Sequence, residues 1–436
     1  MKLRHIATLV MLTAVLLVGL KFAVQVSPMV GLLTATAVFW FGANMLDTNW
    51  APRARLCTND ISLGTIVDTI YTARDVVLRA GTRFIQGCTI NTGTEGISIG
   101  GTVKAVKSAA PTIVESYTPS MTVPDAADVT LSEDTMTLGQ VAGFKIPIKG
   151  EQFKQLDQAA GNGQRVIDTV IQRGIAAMVN LIEARIALKL QLASTRAVGT
   201  AGTTPFASNF DTIADLRRIL FDNGVTVDDG QLSLVIDSAA GANLRKLSNL
   251  YKANEAGTDA TLRTGQLLNL HGFSIGESAG VKNVTKGTGT SYQLSAALAV
   301  GDTTVNVDTG SGTLLAGDVV TISNHKYVAK TALSGGSFTI QGPGIREVVA
   351  DNTAITINNN HVANMGFHRS AVELAMRPPE QPPGGDAGMH EVISDDVTGL
   401  VFRISLYKGY GMNMLAANCF YEAKVWEPGM VSTLIG

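Results

Sequence analysis

The chain has 436 residues, a net charge of −2, 45% hydrophobic residues and 16% charged residues, against a usual charged share of about 25%. That composition excludes a disordered chain, and the charge excludes nucleic-acid affinity spread over the whole surface. Three cysteines, Cys57, Cys88 and Cys419, exclude a disulfide framework, and so few charges mean either an exterior covered by partners or a part that sits in a membrane.

The N-terminus stands apart. Residues 1–50 hold four charges, Lys2, Arg4, Lys21 and Asp47. Ile6 to Leu20 is an uncharged run behind a basic start, as in a signal peptide, although no small-x-small cleavage site follows. Phe22 to Leu46 is a second run, long enough to span a bilayer at about 20 residues. Three readings stand side by side: a secretion or membrane segment, an upstream start with Met45 as the true one, and an apolar packing arm.

Helical spacing of Ile61, Leu63, Ile66, Val67, Ile70 and Tyr71 predicts a helix over 59–80. Residues 81–150 read as extended throughout, with a clear alternation from Met136 to Ile148 that puts Met136, Leu138, Ala142, Phe144, Ile146 and Ile148 on one face. Seventy residues of ribbon without a helix are unusual in a compact domain and predict a projecting hairpin whose apolar face a neighbour covers; an ordinary sheet is the alternative. Gln164 to Ser194 predicts a helix with Ile167, Ile171, Ile175, Met178, Ile182 and Ile186 as its stripe. At 1.5 Å per residue it runs about 46 Å, longer than a small domain is wide, and so acts as a spine. Its stripe is either a contact surface or plain core.

Residues 206–281 read as α/β: a helix from Asp211, taken as its N-cap, to Phe221; a strand Leu232–Ile236; a helix Ser238–Tyr251; a strand Phe273–Ile275. Residues 282–359 turn to Thr, Gly, Val, Asp and Ser, with strands at Thr303–Val307, Asp318–Ile322 and Ser337–Ile340, which reads as an all-β domain inserted into the α/β one. Residues 360–436 return to the mixed pattern and end in strands over Val397–Leu406 and Leu415–Val425.

Catalytic constellations are sparse. The six histidines show no HxxxH spacing, and there is no CxxC and no phosphate loop. Gly276-Glu277-Ser278-Ala279-Gly280 fits the Gly-x-Ser-x-Gly nucleophile elbow. The elbow requires a helix directly after it, whereas Val281 to Gly287 is turn-like, so the match is read as chance, a serine hydrolase using Ser278 stays as a further reading, and the chain is expected to be no enzyme, with neither cofactor nor metal.

This order of parts resembles a known family. The stretches that carry the likeness are Asp211-Thr212-Ile213-Ala214-Asp215-Leu216 leading to Asn223-Gly224 and Leu232–Asp237; Leu262-Arg263-Thr264-Gly265 and Gly272-Phe273-Ser274-Ile275; Ala299-Val300-Gly301-Asp302 and Leu315–Val320; Gly366–Ala371 and Thr398–Arg403. Together they resemble the tailed-bacteriophage major capsid (coat) proteins, in particular the podovirus-type coat family with an inserted β-rich domain. The resemblance implies an α+β, Hong Kong-97-type capsid fold: an N-terminal apolar segment (1–58), an arm helix (59–80), an extended β-ribbon loop (81–150), a peripheral domain with the spine helix (151–205), an axial α/β domain (206–281), the inserted β-rich domain (282–359), and returning strands (360–436). The apolar start departs from the family, whose members begin with a short arm.

As a member of that family the chain would self-assemble through hexamers and pentamers into an icosahedral shell around double-stranded DNA, which it would touch weakly and non-specifically. Its further partners would be a scaffolding protein, a portal ring and a decoration protein. It would be assembled in the host bacterial cytoplasm and end in the virion capsid. The subunit-contact residues expected are Leu138, Phe144 and Ile146 on the ribbon, Ile171, Ile175 and Ile182 on the spine, and Asp302 and Asp318 in the insertion. The alternative, which takes residues 1–46 at face value, is a membrane-anchored β-rich surface or adhesion protein.

Overall fold

The computed structural model describes residues 82–93, 95–108, 119, 121, 131–151, 163–248, 269–394 and 400–436. The apolar start, the arm helix 59–80 and the Leu262–Gly265 stretch lie outside them. Contacts divide the chain at Ser62, and everything below belongs to the unit Leu63–Gly436.

In chain order the first elements are Arg83–Gly87 (α1), Thr89–Thr92 (β1), Thr102–Ser108 (β2), Leu131–Thr137 (β3), Gln140–Lys149 (β4), Gly163–Ala193 (α2) and Arg196–Gly199 (β5). The middle of the chain supplies Asp211–Asp222 (α3), Leu232–Ile236 (β6), Ser238–Lys246 (α4), Phe273–Glu277 (β7), Lys282–Val284 (β8), Tyr292–Gln293 (β9), Thr304–Asn306 (β10), Val319–Ile322 (β11), His325–Val328 (β12), Ser337–Thr339 (β13) and Ala354–Ile357 (β14). The last strands are His361–His368 (β15), Val372–Arg377 (β16), Met389–Ser394 (β17), Val401–Lys408 (β18), Met412–Val425 (β19) and Val431–Ile435 (β20).

Two large sheets result. One runs β1-β16-β19-β18-β17, with β4 laid along β19 from Gln140 to Lys149. The other runs β7-β6-β15-β20-β5-β12-β11-β14-β9, with β8 paired to β15. In the second, β6 and β7 are parallel, as are β20 and β5, while β15 is antiparallel to β6 and β20. α3 and α4 cover its first half: Ile213, Leu216, Leu220, Ala240 and Leu244 pack with Leu232, Leu234, Ile236, Phe273 and Leu434 into one apolar core. Gly366 on β15 makes room, since a Cβ there would sit 2.5 Å from a methyl of Leu216. Residues 292–357 have an apolar core of their own, around Tyr292, Val305, Val320, Tyr327, Phe338 and Ile355.

The long helix α2 touches both sheets, packing on β4 and β19 of the first and on β8, β15 and β20 of the second. Its stripe is core: Ile171, Ile182 and Ile186 are fully buried and Ile175 nearly so. Among the described residues no helix is long and apolar enough to cross a membrane.

The expectation of an unbroken ribbon over 81–150 is corrected. α1 interrupts it at the start, and β4 is a strand of the first sheet, because its apolar face has a cover in this chain. Phe144 lies on α2 at Gly174, where a Cβ would stand 2.8 Å from the ring. The free ribbon is the hairpin β2–β3, whose strands pair with each other in register from Thr102↔Thr137 to Ser108↔Leu131. Two helix limits also move. Asp211 is the first helical residue rather than the cap, which falls on Phe210 with no side-chain bond. α4 is capped by Asp237, whose carboxylate accepts from the N–H groups of Ala239 and Ala240, and ends at Lys246.

Ile182→Ala separates core from contact surface. Removing a fully buried branched side chain should cost the folded chain about 2–5 kcal/mol, read as a lowered urea midpoint; an unchanged midpoint would make the stripe a contact surface.

Candidate functional site: the Glu183 node and the exposed apolar set

Glu183 lies inside the apolar stripe of α2, one turn after Val179 and beside Ile182 and Ile186, and only 3% of it is exposed. A carboxylate there costs free energy unless it is hydrogen-bonded, and it is. It accepts from the backbone N–H of Phe84 at 2.9 Å and of Ile85 at 3.1 Å, and from the Ser278 hydroxyl at 2.9 Å. The two N–H groups belong to the first turn of α1, which has no side-chain cap of its own. Glu183 therefore caps a helix 98 residues earlier in the chain. Burial pushes its carboxyl above the ordinary 4.5, against the pull of the bonds from Phe84, Ser278 and Ile85.

This arrangement also explains the Gly-x-Ser-x-Gly match. Ser278 donates to Glu183, and its oxygen accepts from Gly280 N–H at 3.1 Å, closing a tight turn between β7 and β8. A strand follows rather than a helix, and among the described residues no hydrogen bond joins Ser278 to a histidine. An open cavity of about 820 Å³ lies beside the turn, lined by Asn180, Glu183, Asp237, Glu277, Ser278 and Asn283 among others. Its carboxylates are engaged: Asp237 caps α4, and Glu277 takes both Arg245 nitrogens.

The expected contact residues fall into two groups. Leu138 is fully buried with Met136 and Ala375, the three spine isoleucines are buried, and Asp318 is 1% exposed. Asp318 spends its carboxylate on the N–H groups of Gly287 at 3.1 Å and Leu315 at 2.7 Å. This chain itself covers all five side chains. Phe144 and Ile146 are half-buried, and Asp302 is exposed, accepting from Ala299 N–H at 2.7 Å.

Other apolar residues are turned to solvent. Ile99 and Leu131 stand at the ribbon, 62% and 70% exposed; Val300 and Val348 stand in the β-rich stretch; Tyr410 forms the tip of the β18–β19 turn. Sequence reasoning missed them. Leu131 was legible as a large aliphatic residue at the start of a strand that continues Ser-Glu-Asp-Thr, and Tyr410 as an aromatic residue between two glycines. The ribbon is held at its base, where Lys424 reaches the Asp134 carboxylate and donates to Thr135 O at 2.7 Å.

No protein-family model matches the chain, and no curated protein matches it in sequence. Among solved structures it is similar to one of Mycobacterium phage Che8, with 15% identity and a TM-score of 0.42 over 77% of this chain and 84% of that one. It is also similar to the capsid structure of the cyanophage P-SCSP1u, with 12% identity and a TM-score of 0.44 over 80% of this chain and 86% of that one. A third is a virus-like particle from Pyrococcus furiosus, with 7% identity and a TM-score of 0.40 over 84% of this chain and 98% of that one.

Glu183→Ala leaves the Phe84 and Ile85 N–H groups without their acceptor and should lower stability by about 1–3 kcal/mol, measured by urea denaturation. A pH series tests the charge. Because the folded-state carboxyl titrates above 4.5, the folded chain holds the proton more tightly, so this group's contribution falls as pH rises from about 4.5 through the folded value. Glu183→Gln should remove that slope.

Proposed function

We propose that the chain is the major capsid protein of a tailed phage or prophage, and that its work is to tile with copies of itself into a closed shell around double-stranded DNA. The observation that carries this is the ribbon β2–β3. It leaves the first sheet as two strands paired, among the described residues, only with each other, and it carries Leu131 exposed at its far end. An isolated two-stranded hairpin is marginal in water; this one is held along its inner half by Met136 and by Lys424 on Asp134, and its outer half gains stability when a second subunit covers it. Contacts of that kind gain about 25 cal/mol per Å² of apolar area buried, and closed symmetry repeats each of them around the shell.

On this reading the fold is the Hong Kong-97 type. β2–β3 is its extended loop, α2 with the first sheet its peripheral domain, β5–β7, β15 and β20 with α3 and α4 its axial domain, and 282–359 the inserted domain. Hexamers and pentamers, a scaffolding protein, a portal ring and a decoration protein are the partners, and assembly in the bacterial cytoplasm is the route to the virion. With a net charge of −2, contact with packaged DNA is weak and local. The node at Glu183 has a structural part, holding α1 at the start of the ribbon segment.

Negative-stain microscopy of the full chain, with light scattering on the same sample, tests the proposal. Shells, or rings of five and six, are expected; a monodisperse monomer both alone and when co-expressed with the products of the neighbouring genes would overturn it. Leu131→Asp sharpens the test. Its subunit stability should stay within about 0.5 kcal/mol of wild type while shells fail to close.

A further inference from the structure

The second sheet has a narrow waist. Its α/β half and its β-rich half meet where β5 and β12 pair, and the backbone register there is a single residue pair, Tyr327↔Arg196. One further backbone bond, from Val328 N–H to Thr195 O at 3.3 Å, supports it. A small apolar cluster of Ala197, Val319, Val328 and Ile435 lies beside the joint.

Side chains supply the rest. Arg196 is 5% exposed; its Nη2 lies 3.0 Å from Nδ1 of His325, its Nη1 lies 3.7 Å from Asp222, and its buried Nε has no hydrogen-bond partner. A guanidinium only donates. Nδ1 of His325 must therefore be the acceptor, which fixes the ring as neutral with its proton on Nε2. The ring stands edge-on to Tyr327, with centroids 6.2 Å apart. The charged groups around it are Arg196 from β5, Arg218 and Asp222 from α3, and Arg346 and Glu347 from the loop before β14. That is three cations facing two carboxylates. A protonated His325 would turn an N–H toward an N–H and add a fourth cation.

We propose that His325 is an acid-sensitive latch at the joint between the two halves of the sheet: neutral, it accepts from Arg196 and holds β12 on β5; protonated, it lets go of Arg196, and the β5–β12 pairing loosens while Lys326 on Gly199 O, Arg346 on Asp222 O and Gln341 on Leu192 O still tie the halves together. Burial first, then Arg196, lowers the imidazole's affinity for a proton, with Glu347 opposing. The sign follows. The unfolded chain binds the proton more readily, so the latch's contribution is complete above the ordinary 6.5 and is lost as pH falls through the folded value. This is opposite in direction to Glu183, which acidification favours, so the readout has to be local.

Amide hydrogen exchange of the full chain at about pH 7.5 and about pH 5, each corrected for the intrinsic chemistry of exchange, provides it. Peptides covering 195–199 and 325–328 should lose protection by roughly tenfold or more at the lower pH, while the core around Leu216 and Phe273 holds. His325→Gln keeps an acceptor that cannot take a proton, so the local acid response should vanish. The same response in His325→Gln, or none in the wild type, overturns the latch. Should the variant not fold, imidazole nitrogen shifts of the wild type decide. An unprotonated Nδ1 near neutral pH, with exchange following the His325 titration, supports the latch; a proton on Nδ1 there overturns it.

Discussion

A carboxylate in the middle of a greasy helix face is the constraint on which the rest of this subunit depends. Along α2 the buried neighbours of Glu183, namely Val179, Ile182, Ile186 and Ala187, are all aliphatic, and stability alone would favour another aliphatic residue there. The glutamate is tolerated because three donors from two distant segments converge on it: the first turn of α1 and the β7–β8 turn. Each segment is poorly held without it. α1 is five residues long and has no cap of its own, and a helix that short does not survive by itself in water. Two of the donors are backbone N–H groups, so taking the carboxylate away leaves them buried and unpaired. The node thus fixes where the chain enters the ribbon segment.

α2 converts that local fix into a global one. It packs on both sheets, and Arg185 and Lys189, further along the same helix, grip Glu422 on β19, each at 3.2 Å. One rigid rod is therefore pinned by ionic contacts to the first sheet and by Glu183 to the end of the second. The ribbon is tied separately, by Lys424 and Asp134 at its base. Rigidity is concentrated in the rod and its two sheets, while the ribbon, whose ladder is internal to itself, and the β5–β12 waist have few backbone bonds to the rest of the described fold.

How much of this was legible in the sequence follows from which forces act locally. The strand Leu232–Ile236 matches the structure residue for residue, and the spine helix to within a residue at each end, because apolar periodicity is a property of one segment. The Met136–Ile148 alternation was also legible, but its cover was not. Period two says that one face is buried and is silent on whether β4 lies under a neighbour or under α2, and the deciding feature, Gly174 beneath Phe144, lies in another element. Asp318 misled for the same reason: an aspartate after a glycine reads as an exposed turn, whereas two backbone N–H groups draw it inward. The Glu183 node was invisible, since Glu183 and its donors are 95 to 99 residues apart. Only the misfit of one acid within an isoleucine stripe hinted at it.

The low charge of the chain takes its meaning from this division. In the described residues the charged side chains near the core are largely committed to internal pairs: Arg185 and Lys189 with Glu422, Arg245 with Glu277, Arg403 with Asp386, His368 with Asp229. That leaves fewer charges for the exterior, where apolar side chains stand exposed on the ribbon (Leu131), the β-rich stretch (Val300, Val348), a hairpin tip (Tyr410), the end of α3 (Phe221) and the rod itself (Val170, Leu181). Singly, exposed apolar residues are ordinary. Here they are spread over several elements, and Leu131 on the ribbon is the one that stands on a part paired, among the described residues, only with itself. A chain built this way keeps its own shape through the buried pairs and the rod, and the shape does not depend on the side chains it leaves at its surface.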